Sequence, residues 1–221
     1  MPLFPTPLQD RLHQAGILAV LILEDADDAV PLATALFEGG IRAMELTLRT
    51  PAALEALRRI RAEVPDMIAG AGTLLRPDQV DAARDAGAAF GVAPGCNPRM
   101  LQHALSCGLP FAPGVCTPTD IELAIEAEAR LLKFFPAEPS GGLAYLRTIA
   151  APFAHLGVKF IPLGGIGPAN AEAYLREPSV LALGGSWLAP RELVEQRDWA
   201  TIRHNARAAA DLVAGVRGEA S

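Results

Sequence analysis

Aromatic residues are scarce, making up 5% of the 221 positions. Because 51% of the chain is hydrophobic, its core must be built from aliphatic side chains and alanine, which suits closely packed helix and sheet layers. Cysteine is nearly absent. Cys96, Cys107 and Cys116 are odd in number and form no Cys-x-x-Cys pair. That argues against a disulfide scaffold and for a reducing compartment, the cytoplasm. The histidines His13, His103, His155 and His204 lie far apart and give no zinc-ligand spacing, so no metal is expected. Basic residues are outnumbered 19 to 25, for a net charge of −6, which argues against a nucleic-acid partner. A phosphorylated small molecule stays open, because a few local donors hold one phosphate. No apolar run approaches the ~18 residues of a membrane span. Residues 1–10 lack a basic stretch followed by an apolar one, so no signal peptide is expected.

What the sequence does have is alternation. Short apolar runs at 17–23, 43–47, 67–71, 89–92, 110–112, 131–135, 159–162 and 180–183 read as strands. Amphipathic stretches at 26–38, 51–64, 77–86, 98–106, 118–128, 142–151, 169–176 and 191–216 read as helices. Thr6, Pro7 and Gln9 read as the start of a short N-terminal helix, with Thr6 as its cap and Gly16 ending it. Pro51, Pro77, Pro98, Pro118 and Pro168 mark helix starts, where proline loses no hydrogen bond. This pattern predicts an α/β chain, a (β/α)₈ TIM barrel preceded by a short helix, as one domain over 1–221. An open doubly wound sheet is the alternative, but the glycine-rich turn it needs after its first strand is missing.

In such a barrel the strand-to-helix loops share one rim, and the chemistry collects there. Lys133 stands in the apolar run Leu131-Leu132-Lys133-Phe134-Phe135, where lysine is unusual. If it faces the interior, desolvation favours the neutral amine, which attacks a ketone to form an iminium. Equally, its stem could pack while its head reaches a rim carboxylate. Glu45, Thr47 and Arg49 share one face of their strand. Glu45 could shuttle protons and Arg49 could fork onto a carboxylate, or the two could form a structural ion pair. Gly70-Ala71-Gly72-Thr73 and Ala93-Pro94-Gly95 follow strands and would let a ligand approach the backbone, with Thr73 offering a hydroxyl and an amide, or they are ordinary turns. Gly164-Gly165-Ile166-Gly167-Pro168 and Gly184-Gly185-Ser186-Trp187 follow the last two strands and would hold a phosphate if they run into helix N-termini. Cys116, Trp187 and Trp199 read as packing residues, and Glu122, Glu126 and Glu128 as a solvated face.

In order along the chain, Glu45-Leu46-Thr47-Leu48-Arg49-Thr50, Gly70-Ala71-Gly72-Thr73, Lys133-Phe134-Phe135-Pro136-Ala137-Glu138, Gly141-Gly142, Gly164-Gly165-Ile166 and Gly184-Gly185-Ser186-Trp187-Leu188 resemble the 2-keto-3-deoxy-6-phosphogluconate (KDPG) aldolase family, which includes 4-hydroxy-2-oxoglutarate (KHG) aldolases. The resemblance implies a Schiff-base lysine at Lys133 and a general acid/base at Glu45. It implies carboxylate binding by Arg49 and Thr73, and phosphate binding by Gly164, Gly165, Gly185 and Ser186. Pro94, Phe135 and Leu163 would line the pocket. It also implies keto-acid and phosphorylated aldehyde partners, no cofactor and a homotrimer. Two positions depart from the family pattern. Pro162-Leu163-Gly164-Gly165 stands where Pro-Thr-Gly-Gly is usual, with an apolar residue reminiscent of galactonate-type relatives, although Gly184-Gly185-Ser186-Trp187 resembles the gluconate type, and Ala19 stands where proline is frequent. Two rivals remain: another phosphate-binding barrel enzyme without an imine, and a non-catalytic barrel that binds phosphorylated acids.

Overall fold

The computed structural model describes residues 3–218. Among them run strands β1 (Ile17–Leu21), β2 (Ala43–Thr47), β3 (Ile68–Gly72), β4 (Gly91–Val92), β5 (Phe111–Ala112), β6 (Gly114–Val115), β7 (Leu131–Phe134), β8 (Lys159–Pro162) and β9 (Leu183–Gly185). The helices are α1 (Thr6–Ala15), α2 (Ala29–Glu38), α3 (Ala53–Glu63), α4 (Pro77–Asp85), α5 (Pro98–Cys107), α6 (Pro118–Glu126), α7 (Gly142–Ala150), α8 (Ala171–Leu175), α9 (Arg191–Glu195) and α10 (Trp199–Gly218). The fold is α/β with curled parallel sheet. A six-stranded sheet has the order β5-β4-β3-β2-β1-β9 and a three-stranded one the order β6-β7-β8.

The two sheets meet at Pro113, one residue past the fifth expected strand, and a further short strand that the sequence reading did not foresee follows it. Proline has no N–H for a ladder, so β5 pairs with β4 while β6, one residue later, pairs with β7. Pro113 still contributes its carbonyl, which accepts from the Lys133 amide at 2.8 Å. On the other side, isolated bridges link Phe160 of β8 to Val180, ahead of β9, and Leu163, just past β8, to Gly184 within β9.

Strands buried on both faces need apolar residues at nearly every position. One apolar cluster lies between sheet and helices. A second is made of alternate strand residues, among them Leu18, Ala43, Ile68, Leu131 and Ile161. Leu12 of α1 and Phe4 join this second cluster, Phe4 with its ring centroid 6.1 Å from that of Phe90, so α1 caps the N-terminal ends of the strands. Pro77, Pro98 and Pro118 are the first residues of their helices, as expected, whereas Pro51 and Pro168 fall in the turns before α3 and α8. At α1 the cap is Pro5 rather than Thr6: the Leu8 and Gln9 amides donate to the Pro5 carbonyl, and the Gln9 side chain donates to the Phe4 carbonyl at 2.9 Å. None of the helices is long and apolar enough to cross a membrane, among the described residues.

Candidate active site

The C-terminal ends of the strands surround a cavity of about 600 Å³, within the usual range for a small-molecule site. Its wall contains Glu45, Arg49, Thr73, Pro94, Lys133, Phe135, Leu163, Gly164, Gly165, Gly185 and Ser186, so every site residue expected from the sequence comes to one place.

At its base, the Lys133 amine donates to Glu45 Oε1 at 2.9 Å and to Oε2 at 3.3 Å. The two residues come from different sheets. Glu45 sits between Val20 and Gly70 in register, and Lys133 between Gly114 and Ile161. Both are almost fully buried, at 2% and 6% exposed. Burying two ions costs several kcal/mol each, which their attraction only partly offsets, so the pair is poorly explained by stability. Such an arrangement can do chemistry: a carboxylate in hydrogen-bond reach of an amine is placed to exchange a proton with it, and a neutral amine is a nucleophile toward ketones. The Phe135 ring centroid lies 5.5 Å from Nζ, close enough for cation–π attraction. The alternative Glu45–Arg49 ion pair does not form, since Glu45 is engaged by Lys133 and Arg49 is exposed at the mouth.

The glycines beside Glu45 do a different job from the one read in the sequence. A Cβ on Gly72 would lie 1.9 Å from Glu45 Oε1, and one on Gly70 would lie 2.3 Å from the Phe90 ring. They make room for the protein's own side chains, not for a ligand. Thr73, the next residue, has φ 59, a left-handed backbone that a β-branched residue rarely adopts. Such strain costs on the order of 1–3 kcal/mol and collects at functional sites.

Opposite, the chain turns sharply at Gly164 (φ 99) and Gly165 (φ 81). Only glycine adopts both values without strain. The turn is tied to the segment after Lys133, whose Ala137 and Glu138 amides donate to the Leu163 and Gly164 carbonyls at 2.7 and 2.9 Å. The turns do not lead directly into helix N-termini, as the sequence suggested. α8 and α9 begin several residues later and have five residues each. At this end of the cavity the wall therefore offers turn backbone and the Ser186 side chain, not the first turn of a long helix. Trp187 lines the cavity as well as packing: its ring lies over Gly185, so close that a Cβ there would be 1.5 Å away.

The sequence reading missed Val20, Ile22, Thr47, Ile166, Arg191 and Glu192 as wall residues. Val20 and Ile22 could have been found by alternation from Leu18. Thr47 shares the face of Glu45, but its hydroxyl is taken up by the Leu21 carbonyl at 3.2 Å. Arg191 and Glu192 carried no local signal. Cys116 packs as expected, donating to the Ser140 hydroxyl at 3.1 Å. Burial, and then the charge of Asp120, pushes the Cys96 thiol up to about 11, leaving it a poor nucleophile.

A lysine amine against a carboxylate, buried at the strand ends of a parallel α/β chain, defines a class I aldolase, a lyase working through a Schiff base. The sequence profile of the KDPG and KHG aldolase family matches residues 8–205, and the chain belongs to that family. It is 44% identical to the 2-dehydro-3-deoxy-phosphogluconate aldolase of Treponema pallidum over 193 residues, covering 87% of this chain and 91% of that one. The KDPG aldolase of Legionella pneumophila, crystallised with pyruvate captured at low pH as a covalent carbinolamine intermediate, superposes with a TM-score of 0.86 at 36% identity, covering 90% of this chain and 97% of that one. The 2-keto-3-deoxy-6-phosphogluconate aldolase of Zymomonas mobilis ZM4 with 3-phosphoglycerate gives 0.85 at 40% identity, covering 91% and 94%.

Proposed function

We propose that this chain cleaves KDPG reversibly to pyruvate and D-glyceraldehyde 3-phosphate through an imine on Lys133. The observation that carries this is the Lys133–Glu45 contact of 2.9 Å at the base of the cavity. The neutral amine adds to the C2 ketone. Glu45, directly or through a water, protonates the departing hydroxyl so that the carbinolamine loses water. The iminium then draws electrons from the C3–C4 bond as Glu45 or that water takes the C4 hydroxyl proton, and the aldehyde leaves. The enamine is protonated at C3, and water releases pyruvate from the lysine. Because the iminium does the polarising, the chemistry needs no cofactor. Arg49 and Thr73 hold the carboxylate while Gly164, Gly165, Gly185 and Ser186 hold the phosphate, which positions the scissile bond between them. Pro94 and Phe135 shape the space around the imine.

Leu163 favours a second substrate reading within the same chemistry. An apolar side chain at the β8 end, in place of a hydroxyl, suits the galactonate epimer, and KHG is a smaller alternative. We also infer that the two sheets close into one (β/α)₈ barrel as a single domain, that the enzyme is a homotrimer, and that it works in the cytoplasm.

Pyruvate release from KDPG, coupled to lactate dehydrogenase, tests the reaction and separates it from an imine-free barrel enzyme or a binding protein. Borohydride should trap pyruvate on the native chain and not on Lys133→Ala. Normal trapping on that variant would overturn the assignment.

A further inference from the structure

The fold gathers a second set of reactive side chains, away from the cavity. His103 and Cys107 are four residues apart on α5, so they project from one face. Asp81, on α4, meets them. Its Oδ2 lies 3.0 Å from His103 Nε2, and the donor atoms of all three residues lie within 4.8 Å of one another. All three are partly buried, and none lines the cavity. Histidines alone gave no metal spacing in the sequence, because the set mixes three residue types from two helices.

We propose that Asp81, His103 and Cys107 bind a thiophilic divalent cation, with Zn²⁺ the best fit. Imidazole, thiolate and carboxylate together suit zinc, and three protein ligands leave a fourth position for water. Zinc bonds of about 2.0–2.3 Å at tetrahedral angles put donors roughly 3.3–3.7 Å apart. The observed 4.8 Å limit closes to that by side-chain rotation. Two contacts prepare the site. Arg84 Nη1 lies 3.4 Å from Asp81 Oδ1, which steadies the carboxylate and leaves Oδ2 for the ion. Cys107 Sγ gives up only a weak 3.4 Å bond to the Ala104 carbonyl. Binding exchanges the thiol proton for the metal, so affinity rises with pH. The ion would pin α4 to α5, the helices that follow the Thr73 and Pro94 walls of the cavity, and so stabilise the native chain.

The test is titration of the reduced, metal-stripped chain with Co²⁺, then Zn²⁺, followed by near-ultraviolet absorbance and by thermal melting. A single ion per chain should give a thiolate-to-cobalt charge-transfer band that Zn²⁺ displaces, with a higher Tm. Cys107→Ser and Cys107→Ala should abolish the band. His103→Gln and Asp81→Asn should each weaken binding at least about tenfold. Cys96→Ser and Cys116→Ser should keep both band and affinity. Circular dichroism and the metal-free Tm establish that each variant folds. No band in the native chain, a band surviving both Cys107 variants, or unchanged affinity in Asp81→Asn and His103→Gln would overturn the site.

Discussion

The Glu45 carboxylate occupies the space that a side chain at Gly72 would fill: a Cβ there would lie 1.9 Å from Oε1. The Lys133–Glu45 contact therefore depends on an absent methyl group on the neighbouring strand. Gly72→Ala should push the carboxylate off the amine, which it now meets at 2.9 Å. A displacement near 1 Å costs about 10²-fold in turnover. The overpacking should cost about 1–3 kcal/mol of stability. Steady-state kinetics, borohydride trapping and denaturant unfolding check this together: kcat should fall while slow trapping persists. Near-native kcat would mean that the carboxylate relocates without loss.

Much of this site was legible because its chemistry clashes with its surroundings. Lysine in an apolar strand and glutamate on the face of Thr47 and Arg49 stand out by type alone. Strand and helix order was legible for the same reason, since burial imposes a period of two or of 3.6 residues. What stayed hidden depends on distant pairs. Nothing local says that Gly72 faces Glu45, that Arg191 reaches the mouth, or that Asp81 meets His103 across two helices. The split at Pro113 was hidden too, because proline there ends one pairing and starts another within three residues. Thr73 was legible as a candidate carboxylate binder, but only the backbone reveals its strain.

That strain yields a second expectation. Thr73→Gly relieves a left-handed φ of 59 and removes the hydroxyl. Stability should hold or rise by up to about 1–3 kcal/mol. The KM for keto acids should rise by roughly tenfold, the loss of a hydrogen bond to a charged carboxylate. Thermal melts and kinetics separate the two effects. A lower Tm with unchanged KM would mean that Thr73 serves packing alone.

Leu163 fits at the end of β8 because residue 184 is glycine: a Cβ on Gly184 would lie 2.6 Å from Leu163 Cγ. Leu163→Thr keeps that fit but gives up methyl contacts, at a cost of about 1–3 kcal/mol. It also places a hydroxyl in the cavity wall. The ratio of kcat/KM for the gluconate over the galactonate epimer should rise about five- to tenfold, the equivalent of one hydrogen bond of ~1 kcal/mol. Parallel assays on KDPG, its galactonate epimer and KHG read this directly. An unchanged ratio would remove Leu163 from epimer selection.

Behind the Gly164-Gly165 turn, the buried Tyr174 hydroxyl donates to Glu138 Oε1 at 2.5 Å, while a Cβ on Gly165 would lie 2.6 Å from Glu138 Cβ. Burial, and then the hydrogen bond and charge of Glu138, hold the Tyr174 phenol above its ordinary value of 10.0. The native state thus keeps this proton at a pH where the unfolded chain has lost it. The resulting stability is complete below the ordinary tyrosine value and is lost as pH rises through that value toward the native one. Urea unfolding over about pH 8 to 11 should show an alkaline decline that is shallower in Tyr174→Phe. At neutral pH the variant should be less stable by about 1–3 kcal/mol, because Glu138 loses its donor. If the two alkaline slopes coincide, the decline belongs to other groups, and the buried phenol is not what ties this turn to pH.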